Sequence, residues 1–461
     1  MKKYLILFLL LSLYSISYGV YLKDVPYELI QPNGEVLNVY ITGDEFFRRV
    51  HDSNGYSIVE REDGWFCYAI YDAENDELIA SEYVVSSNQQ ALLPMEKGLG
   101  ISYEKYMEIR RAYFEPTGCD PSGAAKKSLL EDLANAKTAQ QMNNIIICIG
   151  FSDTQGMTNN FNYVDGMYNT NANNNVRDYY DAMSYSKLDL VSHFYPPADG
   201  NVLRFYQDEN PRNYYRPYNA SSNTIGYSSE SQQTSREHTL LRNAVNWVND
   251  NWPVPTDLNL DINNDGECDF ITFIIYGAVG GWSELLWPHK WNLYSTPWTY
   301  INGKRINAYN FELDGTSSYF NVGTFCHEGF HVLGAPDLYH YSAYTNLQAV
   351  GSWDVMEVTS NSKPQSMSAY MKLRYGRWLY NNNYTHINFP TAAINQTYEV
   401  FPFYTNDGSD PEKPIMYRIP MTGITTQYSV VEYRKRSGMN YDATSIPGEG
   451  LLIYRINTSI S

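Results

Sequence analysis

Cys326-His327-Glu328-Gly329-Phe330-His331-Val332-Leu333-Gly334-Ala335-Pro336-Asp337-Leu338-Tyr339 is the stretch on which the reading of this chain turns. Residues four apart on a helix share a face, so His327 and His331 can aim two imidazoles at one point. Zinc accepts nitrogen ligands at about 2.0–2.1 Å, and its catalytic sites keep one position open for water. Glu328, next to the first histidine, is placed to take a proton from that water. Two solvated histidines on an ordinary helix are the plain alternative, and the residues beyond His331 argue against it. Gly334 tolerates a left-handed turn straight after the helix. Pro336 helps to end it. Asp337 then arrives where a third ligand can be delivered from the turn. His340 is an acceptable ligand type too, but it lies three residues later, where the chain should already be leaving the metal.

Further along stands Val350-Gly351-Ser352-Trp353-Asp354-Val355-Met356, whose methionine follows His331 by 25 residues. Upstream are Trp287-Pro288-His289-Lys290-Trp291 and the stretch from Tyr179-Tyr180 to Leu188; downstream is Gly448-Glu449-Gly450-Leu451-Leu452-Ile453-Tyr454. With the histidine helix, these segments resemble the immune inhibitor A family of secreted bacterial metallopeptidases, within the metzincin-like zinc peptidases. The zinc helix of that family typically runs into Gly-x-Pro-Asp-Leu-Tyr, as Gly334 to Tyr339 do here. The resemblance covers roughly residues 144–456 and is strongest around the helix. Gly329-Phe330 reverses the more usual Phe-Gly order at two positions that are not ligands.

The resemblance implies an α+β or α/β catalytic domain with a twisted sheet, a backing helix and the zinc helix across the cleft floor. It implies that His327, His331 and Asp337 hold Zn²⁺, that Glu328 is the general base, and that Met356 forms an apolar floor beneath the metal without ligating it. An ordinary core methionine would look much the same. The implied activity is zinc-dependent endopeptidase action on protein or peptide substrates that bind extended in the cleft. The segment before residue 144 resembles a propeptide, which implies latency. Two rivals remain: a non-catalytic secreted binding protein that retains a metalloprotease fold, and a zinc hydrolase acting on a non-peptide substrate.

A second constellation is Asp261-Ile262-Asn263-Asn264-Asp265-Gly266-Glu267-Cys268-Asp269. Oxygen-bearing side chains at Asp261, Asn263, Asp265 and Asp269 suit a hard cation such as Ca²⁺. The run opens like an EF-hand loop, but Thr272 stands where the closing glutamate belongs, so a complete EF-hand is excluded. An Asx-rich turn before the next strand explains the same residues equally well. His289, between Trp287 and Trp291, reads as a packed or hydrogen-bonded residue.

Organisation follows from composition. The chain has 461 residues, is 43% hydrophobic and 18% charged, and carries a net charge of −18. It can build sizeable cores, and its acidity argues against nucleic-acid binding. Lys2 and Lys3, the apolar run Tyr4 to Leu13, then Ser17 and Gly19 form a secretory signal pattern over residues 1–19. That run is shorter than the about 20 residues a membrane span needs, so no span is expected after signal removal. Localisation is therefore expected to be extracellular. Five cysteines without a C-x-x-C leave at least one unpaired within the chain.

Residues 20–115 read as a small strand-rich propeptide domain, with strand composition at Val36–Ile41 and Trp65–Ile70 and turns at Asn54-Gly55 and Asp63-Gly64. Residues 116–143 read as a linker containing Cys119 and Asp120, either of which can offer an anionic group to the zinc; an exposed turn is the simpler reading. Residues 144–380 form the expected catalytic domain. It opens on the buried-strand run Ile145–Ile149, with helices at Asn175–Lys187 and Ser235–Asn249 and a strand at Phe270–Tyr276. Residues 381–461 read as β-rich, with strands at Tyr398–Tyr404, Tyr428–Tyr433 and Leu451–Ile456.

Overall fold

The computed structural model describes residues 22–43, 47–61, 63–86, 95–102, 104–106, 140–280, 284–315, 319–338, 349–358, 363–379, 397–405, 413–421, 423–438 and 441–457. The expected signal segment, Cys119, Asp120, Tyr339, His340 and His386 lie outside the described residues. The fold is mixed α+β.

The first body of structure is an antiparallel meander of β1 (Leu22–Ile30), β2 (Val36–Gly43), β3 (Arg48–His51), β4 (Ser57–Glu60), β5 (Phe66–Asp72) and β6 (Glu77–Val84), each strand paired with the next. The expected turns at Gly55 and Gly64 are made with φ of +88° and +85°, which glycine adopts without steric cost. Leu37, Val39, Tyr56, Ile58 and Tyr68 close a small core.

The second sheet positions the histidine helix. Its order is β11-β14-β10-β7-β8, with β9 (Tyr206–Gln207) pairing the end of β7. Strands β7 (Gln140–Gly150), β8 (Leu188–Phe194), β10 (Ile271–Tyr276) and β14 (Ala308–Asp314) run parallel. The edge strand β11 (His289–Asn292) is antiparallel to β14. A small hairpin, β12 (Tyr300–Ile301) and β13 (Lys304–Arg305), interrupts the path from β11 to β14. Strand β7 starts at Gln140, earlier than the apolar run, because its polar first half pairs with β8 from Leu188 onward.

Alternation along β7 explains why the run Ile145–Ile149 is apolar throughout: both faces are covered. Ile145, Ile147 and Ile149 meet Leu240, Leu241, Ala244, Val245 and Val248 of a long helix, Glu230–Asn251. Ile146 and Cys148 join the core under the helices Val176–Met183 and Val322–Val332. The long helix is capped by Ser229, whose hydroxyl accepts from the Gln232 amide.

The chain after the second sheet has no core of its own among the described residues. Strands β15 (Met416–Met421), β16 (Ile424–Arg434) and β17 (Gly450–Asn457) form an antiparallel sheet. Phe403, Ile415 and Tyr441 enter the same core as Phe330 and Met356. The strand expected at Tyr398–Tyr404 is absent. Pro402 lacks an amide hydrogen, and this segment instead makes scattered bonds, Phe401 N to Pro414 O and Phe403 N to Tyr433 O.

A candidate metal centre

Helix Val322–Val332 starts at Asn321, whose side chain accepts from the Thr324 amide at 3.1 Å. It ends as expected: Gly334 has φ of +90°, and the Gly334 and Ala335 amides return to the His331 and Phe330 carbonyls. This Schellman-like stop turns the chain back, bringing Asp337 beneath the two histidines. His327, Glu328, His331 and Asp337 are 1%, 3%, 6% and 4% exposed.

The imidazoles are oriented from behind. His327 Nδ1 donates to Val355 O at 2.8 Å, and His331 Nδ1 donates to Ala335 O at 2.7 Å. A carbonyl can only accept, so in each neutral ring the proton is on Nδ1 and Nε2 carries a lone pair. Those lone pairs converge: Nε2 to Nε2 is 3.1 Å, and Asp337 Oδ1 is 3.0 Å from His327 Nε2 and 3.3 Å from His331 Nε2. Three acceptors at such distances need positive charge between them. Tetrahedral bonds of about 2.0–2.1 Å put ligand atoms about 3.3 Å apart, close to this spacing. Among the described residues, this is the one group of three His, Cys, Asp or Glu side chains able to hold a metal ion. Two imidazoles and a carboxylate are the donor types that suit a borderline divalent ion such as zinc.

The electrostatics express the same demand for a cation. Burial alone would lower the His327 pKa, yet the hydrogen bond and charge of Asp337 outweigh it and lift it to about 9. Burial opposes ionisation of Asp337, but the facing imidazoles hold its carboxyl far below the usual range.

Packing accounts for glycine at 329 and phenylalanine at 330. A Cβ at position 329 would sit 2.8 Å from the Tyr180 hydroxyl and 3.0 Å from Phe270 Cζ. Tyr180 uses that hydroxyl to donate to Cys326 O at 2.7 Å. Phe330 instead stacks on Trp378, with ring centroids 5.7 Å apart. Met356 is fully buried in the core shared with the helix, and its carbonyl accepts from the Leu338 amide at 2.9 Å.

Several contributors escaped the sequence reading. The Val355 carbonyl is one. Glu312 on β14 is another: it is fully buried, both carboxyl oxygens lack a hydrogen-bond partner among the described residues, and burial raises its pKa well above normal. Lys290 on β11 is pushed down to about 8 by burial, against the opposing pull of Glu328.

The loop from Asp261 to Asp269 is closed by its own backbone. Asp261 accepts from the Asp265 and Gly266 amides and from Lys304 Nζ at 2.8 Å. Asp265 accepts from the Glu267 amide and from Asn263 Nδ2, and Asp269 accepts from the Ile262 amide. His289 is hydrogen-bonded on both ring nitrogens, to Trp287 O and Glu237 Oε1. The described cysteines, Cys67, Cys148, Cys268 and Cys326, are free and buried.

A scan of protein-family models and a search of curated proteins found no match to this chain.

Proposed function

We propose that this chain is a secreted zinc metalloendopeptidase of the immune inhibitor A type, with a metzincin-like catalytic domain. The observation that carries the reading is the convergence of His327, His331 and Asp337 on one point, with Glu328 beside the first ligand on the same helix. A bound zinc supplies Lewis acidity, which polarises a carbonyl and makes a water acidic near neutral pH. Val355 O and Ala335 O hold the imidazoles in the tautomer that presents Nε2. Glu328 accepts the water's proton and returns it to the leaving amine. The histidine helix packs against β11 and β14, and β11 is the sheet edge. An extended peptide laid along that edge would run beside Glu328. Support for the fold comes from the parallel sheet with one antiparallel edge, backed on its far face by helix Glu230–Asn251.

Calcium is not part of this proposal, because Lys304 and backbone amides already serve Asp261, the most buried carboxylate of the Asp261–Asp269 loop.

The test is cleavage of denatured casein by protein trimmed near residue 140, before and after chelation and after zinc is restored. Chelator-sensitive cleavage recovered by zinc supports the reading. Zinc binding without cleavage of any protein substrate would favour a binding protein or a non-peptide hydrolase.

A further inference from the structure

Two of the three metal-facing side chains hang on one short segment, Trp353–Met356. Val355 O receives the His327 Nδ1 proton at 2.8 Å, and Met356 O receives the amide of Leu338, the neighbour of Asp337, at 2.9 Å. What fixes that segment is a buried guanidinium from the C-terminal sheet. Arg434, at the end of β16, is fully buried and its Nη1 donates to Trp353 O at 2.8 Å. The rest of the group is clamped: Nε and Nη2 each reach Asp442 at 3.0 Å, and Nη1 also reaches Glu432 at 3.2 Å. Those carboxylates are tied to the chain that follows the turn, because Asp442 accepts from Ser366 N and Glu432 from Ala369 N. Asp354 completes the frame, accepting from Met356 N at 2.9 Å and Ser368 N at 2.7 Å.

From this chain of contacts we infer that Arg434 is a positioning residue of the metal centre, acting through the Trp353–Val355 turn on His327. The inference rests on the metal reading above. An arginine is needed because one planar fork grips Asp442 on two nitrogens while a third donor reaches a carbonyl; a lysine is a single point of charge and cannot span both. Partners that orient a metal-bound histidine typically control 10- to 100-fold in metal affinity. The C-terminal sheet is thus a working part of the centre.

The test uses the full chain with Arg434→Lys, and with Tyr454→Phe as a matched control. Tyr454 donates to the far oxygen of Glu432 at 2.8 Å and touches the same network without reaching Trp353. Zinc affinity is read by competition with a chelator, and the visible spectrum of the Co²⁺-loaded protein reports ligand geometry. Arg434→Lys should bind zinc more weakly, by up to about 10-fold since it acts one contact beyond the carbonyl that orients His327, and shift the Co²⁺ bands. Tyr454→Phe should melt lower yet keep both readouts. If Arg434→Lys does not fold, Asp442→Asn, which loosens the clamp at the same volume, must show the same direction. Wild-type affinity and spectrum in the folded Arg434 or Asp442 variant would overturn the inference while leaving the metal reading intact. A wild-type chain that binds no zinc would overturn the metal reading itself.

Discussion

His327 and His331 face each other with their Nε2 atoms 3.1 Å apart, each ring pinned on its other nitrogen by a backbone carbonyl. With Asp337 Oδ1 at 3.0 and 3.3 Å, that pair completes a group of three side chains able to hold a metal ion. Asp337→Ala should therefore lower zinc affinity beyond the roughly 10- to 100-fold associated with outer contacts. His340→Ala should leave zinc content unchanged. Metal analysis of the two purified variants decides it: full zinc in the Asp337 variant and loss in the His340 variant would reverse the assignment.

Glu328 is buried on the same helix and is not one of the three converging side chains. Glu328→Ala should keep its zinc and lose about 10²- to 10⁴-fold in turnover, the usual contribution of a general base. Casein cleavage at the wild-type rate by a zinc-loaded Glu328→Ala protein would sink the mechanism.

The parts of this centre that could be read in the sequence are the local ones. His327, His331 and Gly334 lie within two helical turns, and Asp337 follows by a tight stop, so helix geometry alone relates them. Val355 is 28 residues from the ring it orients, and Arg434 is 81 from the carbonyl it holds, with no periodicity to link them. Strand β14 shows a different blindness. Its alternation of Tyr309, Phe311 and Leu313 with Asn310, Glu312 and Asp314 suggests one wet face. The polar residues are instead 2%, 0% and 0% exposed: the histidine helix packs on β14, and Thr158 and Asn159 donate to Asp314. Composition misled at Tyr398–Tyr404, where aromatic residues suggest a strand that Pro402 helps to prevent.

The N-terminal sheet touches the segments before β11 and before the histidine helix through Ile41. Ile41 and Trp287 bury one another, 5% and 7% exposed, with Tyr27, Val50, Val279 and Tyr319 packed around them. Trp287 stands just before edge strand β11, and Tyr319 just before the histidine helix. On the peptidase reading the full chain should be less active than protein trimmed near residue 140. Ile41→Asp, which places a charge in that apolar seam, should raise full-length activity toward the trimmed level. Equal activity of full-length and trimmed protein would rule latency out.

Close packing at Gly329 predicts a stability effect separable from chemistry. An added methyl group meets the Tyr180 hydroxyl and the Phe270 ring, neither of which is a free surface group. Gly329→Ala should cost about 1–3 kcal/mol, as overpacking of a tight core does. A melting temperature equal to wild type, read on metal-free protein, would mean the helix can shift without penalty.

Lys372 should be neutral in the folded protein above neutral pH. It is fully buried, and its Nζ has no hydrogen-bond partner among the described residues. Only the faces of Phe403 and Tyr185, at 4.4 and 4.7 Å, offer it a cation–π contact. Burial, helped by the nearby Arg434 charge, lowers its pKa to about 7 despite the opposing carboxylates. In the unfolded chain the amine titrates near 10.4. Between those two values the unfolded state binds a proton that the folded state does not, so stability attributable to this group rises with pH across the window. Below about 7 both states are protonated, and the folded one bears the full cost of a buried charge. Lys372→Met, close in volume and apolar, removes that cost and should stabilise the protein by on the order of 3 kcal/mol at pH 7. The advantage should shrink as pH approaches 10. Urea unfolding of both zinc-loaded proteins at pH 7 and pH 9.5 measures it directly. An advantage that does not change with pH would mean that Lys372 keeps its proton inside the fold.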